Sequence, residues 1–180
     1  MTERGTVGAA LVLLATSIAA PARGQDGEQG PAAGGVPAQT VERAAALFER
    51  GLADMLAKRF ASGCPTLAAS YRTNPLPGTL FTLAECYAYW KRPATAMPLY
   101  RDFLSRVASM EPKQQDKQAE RVQVARSQLA ALEGRVAWLT ISPASELPDG
   151  SVVLLDGIPV APSLLGEPLA VDPGRRRVRA

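Results

Sequence analysis

From Val41 onward, apolar side chains return every three or four residues, the period of an α-helix with one buried face. Leu47 or Phe48, Gly51 or Leu52, and Met55 share one face of a first helix. Phe60, Cys64, Leu67 and Tyr71 share one face of a second, which Asn74 and Pro75 close. Leu80, Leu83, Ala84, Tyr87 and Trp90 mark a third helix, and Ala96, Tyr100, Phe103 and Val107 a fourth. Pro93 fits a first-turn position, where its missing N–H costs nothing. Pro65 and Pro98 sit deeper and predict a strained or bent start to both second helices. A fifth helix begins near Pro112, with Val122, Ala125, Leu129 and Leu132 inward and Lys113, Asp116, Lys117, Glu120 and Arg121 toward water. It is expected to cap the stack.

After Gly134 the texture becomes β. Residues 136–142 and 151–155 are rich in apolar and β-branched side chains, and Asp156 and Gly157 offer a tight turn. Residues 168–171 and 175–178 flank a second turn signal, Asp172, Pro173 and Gly174. Four short strands in a small sheet or sandwich follow from this. Ahead of the helices, residues 25–40 are mostly Gly, Pro, Ala, Gln and acidic residues without periodicity, the composition of a disordered linker. Residues 1–24 read as an export signal: a short polar start ending in Arg4, an apolar run over 7–20, then small residues around Ala22 and Gly24. That run falls short of the roughly 20 apolar residues that cross a bilayer. The expected organisation is a signal peptide (1–24), a linker (25–40), a helical repeat domain (41–133) and a small β module (135–180).

The helices repeat in sequence as well as in pattern. Lys58, Arg59, Ala61 and Pro65 recur 33 residues later as Lys91, Arg92, Ala94 and Pro98. The same offset carries Leu47 onto Leu80, Gly51 and Gly63 onto Ala84 and Ala96, and Leu67 onto Tyr100. Fixed self-similarity of this length marks units that bury their apolar faces only by stacking.

The helical part resembles the tetratricopeptide repeat, in which two antiparallel helices pair through small residues and a large apolar residue fills the gap. Gly51, Gly63 and Leu67 take those packing positions in the first unit, and Ala84, Ala96 and Tyr100 in the second. Tyr87 matches the aromatic of the first helix, and Pro75 ends unit one. Arg50 and Asp54 depart from the pattern, as do Leu47 and Leu80, which stand where Trp is usual. The tail resembles a PEGA domain, through Val153, Leu155, Asp156 and Gly157, then Gly166 and Pro168, then Pro173 and Gly174. Together these resemblances imply a protein exported to the periplasm or cell surface of a Gram-negative bacterium, one that binds rather than catalyses.

Chemistry narrows the reading further. The chain has no histidine, which removes the commonest general base and metal ligand. No nucleophile motif, ligand cluster or phosphate loop stands out, so neither enzyme activity, cofactor nor metal is expected. Without residues 1–24, of the 20 basic and 17 acidic side chains 18 and 16 remain, close to neutral. A nucleic-acid partner would want a basic stripe across the fold. Four basic residues crowd the last six positions, Arg175, Arg176, Arg177 and Arg179. They read as an exposed strand face that discourages edge pairing, with contact to an anionic envelope surface as the alternative. Lys58/Arg59 and Lys91/Arg92 read as solvated turn charges.

Cys64 and Cys86 lie on helices that neighbour one another in such a stack. A disulfide is therefore expected, closing a 22-residue loop and adding about 3 kcal/mol. For binding a protein or peptide partner, Glu49, Asp54, Glu85 and Tyr89 stand out as exposed residues of the first helices. A competing assignment makes the β region an envelope anchor or glycan-binding module.

Overall fold

In the computed structural model, which describes residues 36–145, 147–148 and 150–180, six α-helices precede five short strands. The signal and residues 25–35 of the linker lie outside the described residues. Helices α1 (Ala38–Leu56) and α2 (Phe60–Thr73) form one hairpin, and α3 (Pro77–Tyr89) and α4 (Pro93–Ala108) a second. The expected fifth helix is two pieces, α5 (Pro112–Asp116) and α6 (Ala119–Glu133), parted by a turn at Lys117 and Gln118. The amide of Gln115 donates to the Met110 carbonyl at 2.7 Å, tying α5 back to the end of α4. Helix α1 starts three residues earlier than the periodicity suggests, because the Pro37 carbonyl accepts the N–H groups of Thr40 and Val41.

The 33-residue repeat is a repeat of backbone geometry. Both hairpin turns place a lysine in the left-handed region, Lys58 at φ 59° and Lys91 at φ 60°. Arg59 N–H reaches the Asp54 carbonyl at 2.8 Å and Lys58 N–H that of Met55 at 2.9 Å. Their counterparts are Arg92 to Tyr87 at 2.9 Å and Lys91 to Ala88 at 3.0 Å. These paired bonds satisfy carbonyls that the helix end would otherwise orphan. Pro65 and Pro98 each stand sixth in their helices, and both helices run on through them, each short of one backbone bond.

Small residues let the helices of a hairpin touch. A Cβ on Gly63 would lie 2.9 Å from the Met55 nitrogen, and one on Gly51 2.8 Å from Leu67 Cγ. Leu67 and its counterpart Tyr100 are both fully buried. Around Tyr100, the rings of Phe81 and Phe103 pack 5.2 Å apart, with Ala84, Ala96, Val107 and, from α6, Ala125 and Leu132. A second cluster joins the hairpins through Met55, Cys64, Leu67, Leu83 and Cys86. Within it Cys64 and Cys86 are bonded, their Cα atoms 5.6 Å apart.

The β region holds five strands rather than four, in two small antiparallel sheets. β1 (Ala137–Thr140) pairs β4 (Pro168–Val171), with Ala137 opposite Val171. β2 (Leu154–Leu155) lies between β3 (Ile158–Pro159) and β5 (Val178–Arg179). Asp156 and Gly157, both at positive φ, form the two-residue turn from β2 to β3. β5 falls later than residues 175–178 because Arg176 is used elsewhere: its guanidinium donates to the Asp172 carbonyl at 2.9 Å and to Asp156 at 2.8 Å. This pins residues 172–177 as a loop.

One carboxylate joins sheet to helices. Asp172 is buried and accepts the Thr95 N–H at 3.1 Å and its hydroxyl at 2.6 Å, in the first turn of α4. A negative charge there complements the helix dipole and satisfies a free N–H. In the first hairpin the counterpart of Thr95 is Ser62, whose hydroxyl donates to the Arg59 carbonyl at 3.1 Å, while the Asp54 carboxylate accepts from the Arg59 guanidinium at 2.9 Å. The neighbouring Ser62 hydroxyl and the Arg59 guanidinium hold the Asp54 carboxyl below its usual range. Tyr87 replaces Asp54 in the second hairpin, and the β module supplies the acid instead.

Gly63→Ala forces backbone apart at the α1–α2 contact and is expected to lower stability by about 2 kcal/mol in urea unfolding. Gly134→Ala, with nothing within 4 Å, is expected to be neutral or mildly stabilising. Equal effects of the two would contradict the close approach.

Candidate functional site

Helices α1, α3 and α6 begin side by side, and an open cleft of about 470 Å³ lies along their first halves. Val41, Ala45 and Phe48 form its apolar wall on α1, with Glu49 beside them; Thr82 lines it from α3, and Gln118 and Arg121 from α6. Ser70 anchors the floor by donating to the Ala44 carbonyl at 2.7 Å. The volume and the mix of apolar wall with a few polar groups are those of ligand-binding clefts.

The first turns of helix α3 line the cleft through Gly78 and Thr82, and the same face of the helix runs on beyond it. Gly78, Thr82, Glu85 and Tyr89 follow one another at spacings of four, three and four, so they share one face about 16 Å long. Tyr89 ends that row and is 57% exposed. Glu85 is half-buried, and desolvation raises its pKa while the charge of Arg121 opposes the rise. Beneath it the Tyr100 hydroxyl is buried with no hydrogen-bond partner among the described residues. Burial, with Glu85 and Tyr89 nearby, holds that phenol protonated well above its usual range. A carboxylate kept partly out of water, with no ion pair among the described residues, costs stability.

The four residues read from sequence as partner contacts divide in two. Glu49 lines the cleft, and Glu85 and Tyr89 lie beyond it on the face of α3 that carries Thr82. Asp54 lies five residues beyond Glu49, about 140° around α1, and its carboxylate is taken up by Arg59. Arg121 and Gln118 are the groove residues that periodicity alone missed, since it assigns α6 only a capping role. The signal was present in the alternation of the chain: the helix after a second helix returns to the row of first helices.

Lys91 is exposed, as a turn charge should be, whereas Arg92 is only partly so. Pro173 and Gly174 border one cleft with them, and Arg92 lies over the Trp90 ring at 4.6 Å. Among the described residues no helix is long and apolar enough to cross a membrane. No protein-family model, curated protein or solved structure matches this chain.

Glu85 supplies a pH test. Its raised pKa means that the folded chain binds more protons than the unfolded chain between the ordinary value of 4.5 and the folded value. Stability therefore falls as pH rises through that window, and the deficit persists at neutral pH. Glu85→Gln removes it. Thermal melts are expected to show the variant gaining on the wild type between about pH 4 and pH 7, and a wild type that gains instead would contradict the assignment.

Proposed function

We propose that this chain is an exported, non-catalytic adaptor whose helical groove holds a peptide segment of a partner protein. The observation that carries the reading is the cleft lined by Val41, Phe48, Glu49, Thr82, Gln118 and Arg121, with Glu85 and Tyr89 continuing the Thr82 face of α3 beyond it. The 33-residue repeat of helical hairpins supports a tetratricopeptide-like assignment, since such stacks present the row of first helices to a ligand. The β tail, with its Asp156–Gly157 turn, supports a PEGA-like module. The disulfide between Cys64 and Cys86 supports export, because such bonds persist in oxidising compartments.

The chemistry of the groove describes its ligand. Phe48 and Val41 take an apolar side chain, and Glu49 and Glu85 favour a lysine or arginine a few residues along. Arg121, at the other wall, is placed for a carboxylate or backbone carbonyl. Recognition of this kind needs no reacting group, only complementary shape and charge.

Selection of displayed peptides on the oxidised protein tests the proposal. Enriched sequences are expected to combine an apolar residue with a basic one, and Glu49→Gln with Glu85→Gln is expected to weaken their binding at least tenfold, about 1.4 kcal/mol. Asp54→Asn, which alters the hairpin turn, is expected to leave affinity within about twofold. Peptides that bind the double variant as tightly as the wild type would refute the groove.

A further inference from the structure

The β module carries a second cleft, of about 640 Å³, between the β2–β3 turn and residues 175–179. Four arginines and one carboxylate line it. Arg176 is already committed: Nη1 donates to Asp156 Oδ2 at 2.8 Å, and the rest of its guanidinium holds the Asp172 carbonyl. The other oxygen of Asp156 accepts the Arg177 N–H at 2.9 Å. Both carboxylate oxygens are thus engaged, and these bonds from Arg176 and Arg177 keep the group ionised below its usual range.

That leaves Arg175, Arg177 and Arg179. All three are exposed, all three border the cleft, and none makes an ion pair among the described residues. The segment that carries them is fixed rather than loose. Asp156 N–H donates to the Arg177 carbonyl at 2.8 Å, and β5 pairs with β2 through Leu154 opposite Arg179. Three guanidinium groups within five residues repel one another, and the one acid of the cleft, Asp156, has its oxygens engaged by the Arg176 side chain and the Arg177 N–H. A ligand that removes the repulsion gains from it.

We infer that this cleft binds a phosphate-bearing anion, with Arg175, Arg177 and Arg179 as its ligands. Guanidinium forks match the paired oxygens of a phosphate, and three of them suit a multiply charged group better than a lone carboxylate. The site is independent of the helical groove and belongs to the β module. The same chemistry is offered by a soluble polyphosphate and by the phosphate of an anionic lipid headgroup at the envelope.

Titration of the oxidised full chain with tripolyphosphate, and sedimentation with vesicles of phosphatidylglycerol and of phosphatidylcholine, tests the assignment and separates the two sources. Saturable binding of tripolyphosphate alone assigns a soluble phosphate. Retention on phosphatidylglycerol but not phosphatidylcholine, competed by tripolyphosphate, assigns a headgroup. In either case Arg175→Gln, Arg177→Gln and Arg179→Gln together are expected to weaken binding at least tenfold. Lys113→Gln, Lys117→Gln and Arg126→Gln, which remove the same charge elsewhere, are expected to leave it within twofold. Should the glutamine variant fail to fold, the corresponding lysine variant keeps the charge but loses the forks, and a threefold or greater loss is expected. No binding of either probe, or equal losses in the two glutamine sets, or unchanged affinity in the lysine variant, would overturn the site.

Discussion

The backbones of α1 and α2 approach so closely at Gly51 and Gly63 that neither position has room for a methyl group, and the rest of the molecule depends on that contact. Helices this near bury Leu67 completely and turn the outer faces of the hairpin toward a neighbour. The second hairpin meets the same constraint with alanine, and there the larger Tyr100 fills the space. Each hairpin alone would expose Met55 or Leu83 to water. Stacking removes that surface, and a covalent bond between Cys64 and Cys86 fixes the neighbour.

From this contact the other features follow in order. Lys58 and Lys91 accept a left-handed backbone, which side chains other than glycine and asparagine adopt at a cost, because only that conformation closes the two turn bonds. The turns differ in one respect that decides the architecture. Where the first hairpin supplies Asp54 to its own second helix, the second has Tyr87, whose ring stacks on Trp90. The start of α4 then takes its carboxylate from Asp172, and the β module is seated there.

Much of this was legible in the chain. The offset that carries Lys58–Arg59 onto Lys91–Arg92 located both hairpins, and the pattern of small and large residues located their packing. The cysteine pair follows from the same register. Other features were hidden for physical reasons. The break in the fifth helix rests on a glutamine side chain reaching the end of α4, a contact without sequence periodicity. Strand β3 is two residues long, too short for alternation to register, although the Asp156–Gly157 turn implied a partner for β2. Arg176 looked like one of four equivalent exposed charges, and only three-dimensional proximity to Asp172 and Asp156 makes it structural. The cleft drew on α6, which periodicity cast as a lid rather than a wall.

The juxtaposition of α2 and α3 is the claim on which hairpin stacking and the groove both rest. Proteolysis of the protein without reduction, after alkylation of any free thiol, followed by mass spectrometry, reads it directly. The account predicts one cross-linked species joining the peptide of Cys64 to that of Cys86, with neither sulfur alkylated. Recovery of both cysteines as alkylated, separate peptides from protein made in an oxidising compartment would contradict it.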